Sequence, residues 1–451
     1  MTLAPYKVKV PVHAIDTVPS GRPRRGRHAF DMGASFSCST AALESYAFAN
    51  WEPVIYDAMV VAASIEYADR TFARPKLGWR RDFTLRVPVL EPERWQEPSV
   101  YNALRDAAGF LTGDDWVFDF VRRDEATPRP SQECLQFSVT TDAVIAYSDG
   151  MDSRAVAGLT AQELGRKLVR VRVGSRKAGL PEPGEPVPFT AVPYNVKASG
   201  ETSARSRGFK FGLVSGIAAY LTGASEIVLP ESGQGIFGPA LVTSSAQAYP
   251  DFRSHPLFTR RMEQFLTALL KHPLRFIFPR IWSTKGETLK AYAALPDSDD
   301  WHGTRSCWQS ARHCSLNGVL VQCGVCAACM LRRMSVHAAG LHDDDSGYAC
   351  SNLTAATFEE GIQPGFKMRG LALREYAIAG TQHLDHLADL VLPIHRPVLR
   401  RHALLASGAT GIPHSEVEEK LVSVLQRHSA EWNNFLREKG ARSFLRQWTR
   451  A

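Results

Sequence analysis

The apolar run Ala143-Val144-Ile145-Ala146-Tyr147 passes directly into Ser148-Asp149-Gly150-Met151-Asp152-Ser153, and a helix-like segment follows to Lys167. No other feature restricts the fold of this chain as much. A short apolar run bounded by turn residues reads as a strand buried on both faces. Leu168–Val173 repeats the pattern, residues 205–222 read as helix, and Glu226-Ile227-Val228-Leu229-Pro230 reads as a third strand. Strand, helix, strand, helix, strand demands a parallel sheet, because parallel neighbours need a crossover between them. Such sheets bind ligands at the carboxyl ends of their strands, on the loops that enter helices. Residues 148–153 occupy that place.

Small and turn-forming residues let this loop fold tightly. The free N–H groups of a new helix then point at whatever lies above them, and the helix dipole favours an anion. Ser148 and Ser153 add hydroxyls suited to phosphate oxygens, while Asp152 is suited to holding Mg²⁺ or bracing the loop. The same six residues also describe an ordinary strand-to-helix turn with an Asp/Ser cap. No Gly-Lys-Ser/Thr follows, so this is not a Walker A loop. Asp149 stands out, because a carboxylate beside a pyrophosphate repels it unless it turns outward or shares a metal.

The remainder of the chain divides by pattern. With 451 residues it is long enough for two or three domains. Residues 1–40 read as irregular, with a mobile loop at Ser20–Arg27, and residues 41–73 as helix interrupted near Pro53. Phe83, Leu85, Val87 and Val89 alternate with polar residues; Pro88 makes that strand an edge strand. Residues 99–111 read as helix, and Trp116, Phe118 and Phe120 mark another strand. The reading is an α+β domain over 1–135, a parallel α/β domain over 136–345 and a helical region over 346–451. In the last of these, Leu421, Val424, Leu425, His428, Trp432, Phe435 and Leu436 recur at helical spacing, with Phe444, Leu445 and Trp448 beyond. No apolar run approaches about 18 residues and no leader-like start is visible, so a cytoplasmic protein without a membrane segment is expected. The net charge of +7 is spread thinly, without a basic-aromatic stripe, which argues against a nucleic-acid partner.

Of eight cysteines, five fall between positions 307 and 329. Cys323-Gly324-Val325-Cys326-Ala327-Ala328-Cys329 presents three thiolates from one tight loop, and Cys307 can close a tetrahedron. Four sulfurs with no open position describe structural zinc. Cys314 or His313 could replace Cys307. A further motif, Gly233-Gln234-Gly235-Ile236-Phe237-Gly238, fits a dinucleotide fingerprint. Because the 143–153 strand and loop already supply a nucleotide site, it is read as a substrate-contacting loop.

The loop resembles the Ser-Gly-Gly-X-Asp-Ser signature of the PP-loop ATPases, adenylating enzymes related to asparagine synthetase and GMP synthetase. Asp149 departs from it, standing where the family usually has Gly. Thr304-Arg305-Ser306-Cys307-Trp308 together with the Cys323–Arg332 stretch resembles the tail of the 7-cyano-7-deazaguanine synthases, the QueC family. The gap between the two halves is longer here. Ala204-Arg205-Ser206-Arg207-Gly208-Phe209, Ser283-Thr284-Lys285-Gly286-Glu287 and Tyr249-Pro250-Asp251-Phe252-Arg253 are similar to further motifs of that family. The resemblance spans roughly 140–345, and neither end of the chain belongs to a plain QueC.

The resemblance implies an α/β fold, a PP-loop (adenine nucleotide alpha hydrolase-like) parallel sheet with helices on both faces. It implies ATP, Mg²⁺ and Zn²⁺ as cofactors. Ser148, Asp149, Gly150, Met151, Asp152, Ser153, Arg205 and Arg207 would hold the nucleotide. Asp152, Ser153 and Lys285 would be catalytic, Glu231, Asp251 and Arg253 would contact substrate, and Cys307, Cys323, Cys326 and Cys329 would bind zinc. The implied substrate is 7-carboxy-7-deazaguanine or a related deazaguanine, adenylated on its carboxylate and passed to an amine. QueC-like proteins with added terminal regions resemble those of the anti-phage Qat system and type IV CBASS. There the amine would be the N-terminus of a partner protein from the same operon. Ammonia leading to the nitrile, or a degenerate binding module, are the alternatives.

Overall fold

The computed structural model describes residues 10–19, 22–39, 52–124, 141–174, 189–243, 249–296, 298–309, 314–366 and 372–450. Cys134, His313 and the start of the expected 41–73 helix lie outside them. The strands of three residues or more are β1 Val12–Val18, β2 His28–Asp31, β3 Phe36–Cys38, β4 Asp82–Val89, β5 Asp115–Arg122, β6 Ala143–Ala146, β7 Leu168–Val173, β8 Phe189–Val192, β9 Tyr194–Val196, β10 Glu226–Val228 and β11 Arg275–Ile277. The longer helices are α1 Pro53–Thr71, α2 Pro98–Thr112, α3 Met151–Leu164, α4 Arg207–Thr222, α5 Gly233–Leu241, α6 Pro256–Leu270, α7 Lys285–Ala293, α8 Ala327–Ala338, α9 Ala372–Asp389, α10 Arg396–Thr410 and α11 His414–Lys439. Two compact units form, one of residues 1–147, 164–229 and 251–277, the other of 148–163, 230–250 and 278–451.

The first unit holds two parallel sheets. In one the order is β2-β1-β4-β5, and all three pairings are parallel. This corrects the α+β reading of the first region: the crossovers through α1 and α2 build an α/β layer. Residues 1–40 are not irregular either, since β1, β2 and β3 lie there. β1 was hidden because Asp16 and Thr17 are polar yet buried. Arg27 pairs with Asp16 at 2.6 Å and Thr17 shares a 2.8 Å hydrogen bond with Ser64.

β4 is interior, not an edge. Its pairing with β1 stops at Arg86, whereas β5 follows it to Val89, so Pro88 lies where β1 no longer needs a donor. Pro53 likewise starts α1, at the first position where its missing N–H costs nothing, and does not interrupt it. A buried ionic knot fastens the layer. Arg81 binds both Asp69 (2.6 Å) and Asp114 (2.7 Å), and all three are almost wholly inaccessible.

The second sheet of this unit runs β11-β10-β6-β7-β8, again parallel where β6 meets its neighbours. β6 is central and Ala143, Val144 and Ile145 are fully buried, which is why the run carries no polar alternation. Asp69 accepts the backbone N–H groups of Arg205 (2.6 Å) and Ser206 (2.7 Å), so a carboxylate from α1 caps the start of α4.

In the second unit α3 begins at Met151, and α7, α8 and the helices α9 to α11 complete the packing. α11 buries Val417, Leu421, Val424, Leu425, His428, Trp432, Phe435 and Leu436 on one face. Residues 233–241 form α5, not a loop. Gly233 is required there, because a Cβ would fall 2.5 Å from the Ile281 carbonyl oxygen.

Candidate functional site

Around the 148–153 turn, the loop first satisfies itself. The Ser148 N–H donates to Ser153 Oγ at 2.8 Å and the Gly150 N–H donates to Ser148 Oγ at 3.1 Å. Gly150 tolerates that close hydroxyl; a Cβ would sit 3.2 Å from it. The Asp149 carbonyl accepts from the Arg305 N–H at 2.7 Å. Ser148, Asp149 and Gly150 are half-buried, and Met151 and Ser153 are buried. An α-helix leaves its first amides without acceptors inside the helix, and α3 starts here. The two serine oxygens therefore brace the turn as acceptors, while each hydroxyl keeps an O–H to donate.

Asp152 braces as well. Its Oδ1 accepts from Ser232 Oγ at 2.8 Å and its Oδ2 pairs with the Lys285 ammonium. Lys285 is the first residue of α7 and is nearly buried. Thr284 caps α7 in a reciprocal capping box with Glu287, at 3.1 and 2.8 Å. The Lys285 N–H donates to Gln234 Oε1 at 2.6 Å. Gln234 Nε2 in turn donates to His428 Nδ1 at 3.0 Å and to Glu431 Oε2 at 3.3 Å. His428 Nε2 donates to the Leu384 carbonyl at 2.9 Å, which fixes the neutral tautomer. Burial pulls the His428 imidazole down to about 4 and pushes the Glu431 carboxyl up to about 7.

Four of the expected nucleotide and substrate residues belong to the first unit. Asp251 and Arg253 form an ion pair, reinforced by the Arg253 N–H donating to Asp251 Oδ1 at 3.1 Å. Burial alone would raise the Asp251 carboxyl; Arg253 and Arg205 override it and hold it below the ordinary carboxylate value. Arg205 is buried beside Trp79, and Arg207 is exposed over Phe211. Gly208 lets α4 approach Arg253, whose Cβ would be 2.8 Å from any Cβ at 208. Glu231 lies in the second unit, with Oε2 2.3 Å from where a Cβ on Gly235 would stand. The structure thus gathers Ser148, Asp152, Ser153 and Lys285 in one unit and Arg205, Asp251 and Arg253 in the other.

The cysteine cluster is the best-formed centre. The sulfurs of Cys307, Cys323, Cys326 and Cys329 all lie within 4.8 Å of one another. Cys323 Sγ and Cys329 Sγ are 3.8 Å apart. Zinc–thiolate bonds of about 2.3 Å in a tetrahedron place sulfurs about 3.8 Å apart, so the donor set fits zinc. The N–H groups of Cys323 and Cys326 donate to Cys307 Sγ and Cys323 Sγ at 3.2 Å each, as thiolate ligands require. Gly324 has φ +81°, and a Cβ there would meet the Cys350 carbonyl oxygen at 2.5 Å. Thiol hydrogen bonds hold Cys307 far below its ordinary value, and the bond to Cys307 comes first in pushing Cys323 up to about 12. Cys314 is buried beside the cluster, hydrogen-bonded to Cys307, and stands outside the four.

Sequence reasoning missed the supports. Arg332 is inaccessible and ties the segment before Cys307 to α8, through the Thr304 carbonyl (3.1 Å) and Asp343 (2.9 Å). Gln234 read only as part of a glycine-rich motif and His428 only as a helix position, and Glu431 drew no reading. A buried polar residue on an otherwise apolar helix face, such as His428, was the one available signal.

Residues 232–340 match the family model of QueC, described as queuosine biosynthesis protein QueC. The matched segment takes in Lys285 and all four clustered cysteines and begins after the 148–153 loop. No curated protein matches the chain. No solved structure matches it. Residues 232–340 are thus similar to QueC, and that family suggests nucleotide use of the PP-loop type and a relation to 7-deazaguanine. Among the described residues no helix is long and apolar enough to cross a membrane.

Proposed function

We propose that this QueC-like chain adenylates the carboxylate of 7-carboxy-7-deazaguanine and passes the acyl group to an amine. The observation that carries the reading is the Lys285–Asp152 pair behind the 148–153 turn, with Lys285 inside the QueC-matched segment. ATP would lie on the turn, its phosphates facing the first amides of α3, with Mg²⁺ sharing their charge. A carboxylate oxygen attacks the α-phosphorus and pyrophosphate leaves. The amine nitrogen then attacks the acyl carbon, AMP leaves with the bonding pair, and the nitrogen loses a proton to solvent or a base. Positioning and charge neutralisation are the main contributions of such a site, and Lys285 is the cation best placed for them. Arg205 and Arg207 are proposed as nucleotide contacts, Glu231, Asp251 and Arg253 as substrate contacts.

The zinc centre would be structural, since four thiolates leave no coordination position for substrate. We further propose that the amine is the N-terminus of a partner protein in anti-phage defence, because the chain extends far on both sides of the matched segment. The deciding experiment is mass spectrometry of the protein and its operon neighbours after incubation with ATP and 7-carboxy-7-deazaguanine. A deazaguanine adduct on a neighbour's N-terminus is expected. Free nitrile as sole product would move the assignment to the ammonia reaction. Absence of any pyrophosphate release would leave a binding module, the reading that the Asp149 carboxylate favours.

A further inference from the structure

The matched family segment ends at residue 340, yet a carboxylate from beyond it holds two of the residues that position Lys285. Glu431, on α11, accepts a hydrogen bond from Thr284 through Oε1 and another from Gln234 through Oε2. Those two partners hold Lys285 from both sides. Thr284 is the residue before it and caps its helix, while Gln234 receives its backbone N–H. Gly286, the residue after it, packs so closely that a Cβ would be 3.0 Å from Glu431 Oε1. The residues before and after Lys285, and the acceptor of its N–H, therefore all meet one carboxylate on the C-terminal helix.

We infer that Glu431 is a positioning residue for Lys285, so that α11 is part of the catalytic unit and not an appendage to it. This rests on the adenylation reading above. An ionised carboxylate offers an acceptor to each donor. A protonated one carries an O–H that competes with one of them, loosening either the Thr284 or the Gln234 restraint. The groups facing it are Glu287, which adds negative charge, Arg427, which pairs with Glu287 at 2.8 Å, and neutral His428. Burial carries its carboxyl to about 7, which sets the change of state in the neutral range.

The test uses the full-length protein and ATP–pyrophosphate exchange dependent on 7-carboxy-7-deazaguanine, comparing wild type with Glu431→Gln. The glutamine keeps the shape but turns a donor toward Thr284 or Gln234. We expect kcat for exchange to fall on the order of tenfold with KM for ATP unchanged, since Lys285 is bound but misplaced. We also expect the acid limb of the wild-type pH profile, centred near 7, to be absent in the variant. A variant kcat within about twofold of wild type overturns the inference while leaving the adenylation reading intact. So does a loss of kcat that follows a lowered melting temperature with the acid limb preserved. If wild type itself exchanges no pyrophosphate, it is the adenylation reading that fails. Should Glu431→Gln not fold, Glu431→Asp, which keeps the charge and withdraws it from Thr284, replaces it, and an unchanged kcat there overturns the inference equally.

Discussion

Gly380 sits in the middle of α9, where the helix crosses the metal loop. A Cβ at this position would lie 2.6 Å from the Ala327 nitrogen, 2.7 Å from the Val325 carbonyl oxygen and 2.9 Å from the Cys326 carbonyl carbon. All three are backbone atoms of the loop that carries Cys326, and none can rotate away. Restoring ordinary contact at about 3.4 Å requires a shift of roughly 0.7 Å in either the helix or the loop. Overpacking of that kind costs about 1–3 kcal/mol. Because the displaced atoms flank a ligand, the cost should appear in metal binding: Gly380→Ala should weaken zinc affinity by about 5- to 150-fold. Competition against a chromophoric chelator measures this directly, and cobalt substitution reports whether the tetrahedral geometry survives. The control is Gly408→Ala in α10, where nothing lies within 4 Å of the added Cβ. That change should stabilise by about 0.4–1 kcal/mol and leave metal affinity untouched. Equal zinc affinity in Gly380→Ala and wild type would refute the claim that α9 holds the loop in register.

Purified protein should contain one zinc per chain by elemental analysis, lost in Cys326→Ser and kept in Cys314→Ser, since Cys314 stands outside the four. Lys285→Ala should lower the exchange kcat by about 100-fold, the usual cost of losing a preorganised charge, with circular dichroism unchanged. Asp149→Gly should lower KM for ATP by roughly fivefold, the worth of removing one like charge near the phosphates in a half-exposed setting. Glu431 makes stability depend on pH. Its folded value near 7 exceeds the ordinary 4.5, so its contribution is complete below pH 4.5 and is lost as pH rises through 7. The loss is on the order of 3 kcal/mol, and denaturant titrations of Glu431→Gln should lack it.

Three strands of the sheet around β6, namely β6, β7 and β10, were legible from their apolar residues between turn signals, whereas β8 and the short, partly exposed β11 were not read. The metal set was legible because chelation fixes both residue type and spacing. β1 was not, since Asp16 and Thr17 look like loop residues until Arg27 and Ser64 are seen beside them. Pro88 misled for a related reason: whether a strand tolerates proline depends on how far its neighbour extends, and β1 stops at Arg86. The lysine was identifiable from its motif, but its supports were not, because Gln234 on α5 and His428 and Glu431 on α11 come from two distant sequence regions that only folding brings into one chain of hydrogen bonds. That the serine oxygens of the turn also accept from two of its own amides was not legible, because it depends on how the turn closes.

The 2.7 Å bond from the Arg305 amide to the Asp149 carbonyl joins two sites that chemistry would treat separately. Arg305 lies two residues before Cys307, one of the four clustered cysteines, so a metal held there would also anchor the peptide that grips the turn. A zinc ion that never touches substrate would then act as the footing of the anion cradle, and stripping it should blunt ATP binding before the helices melt.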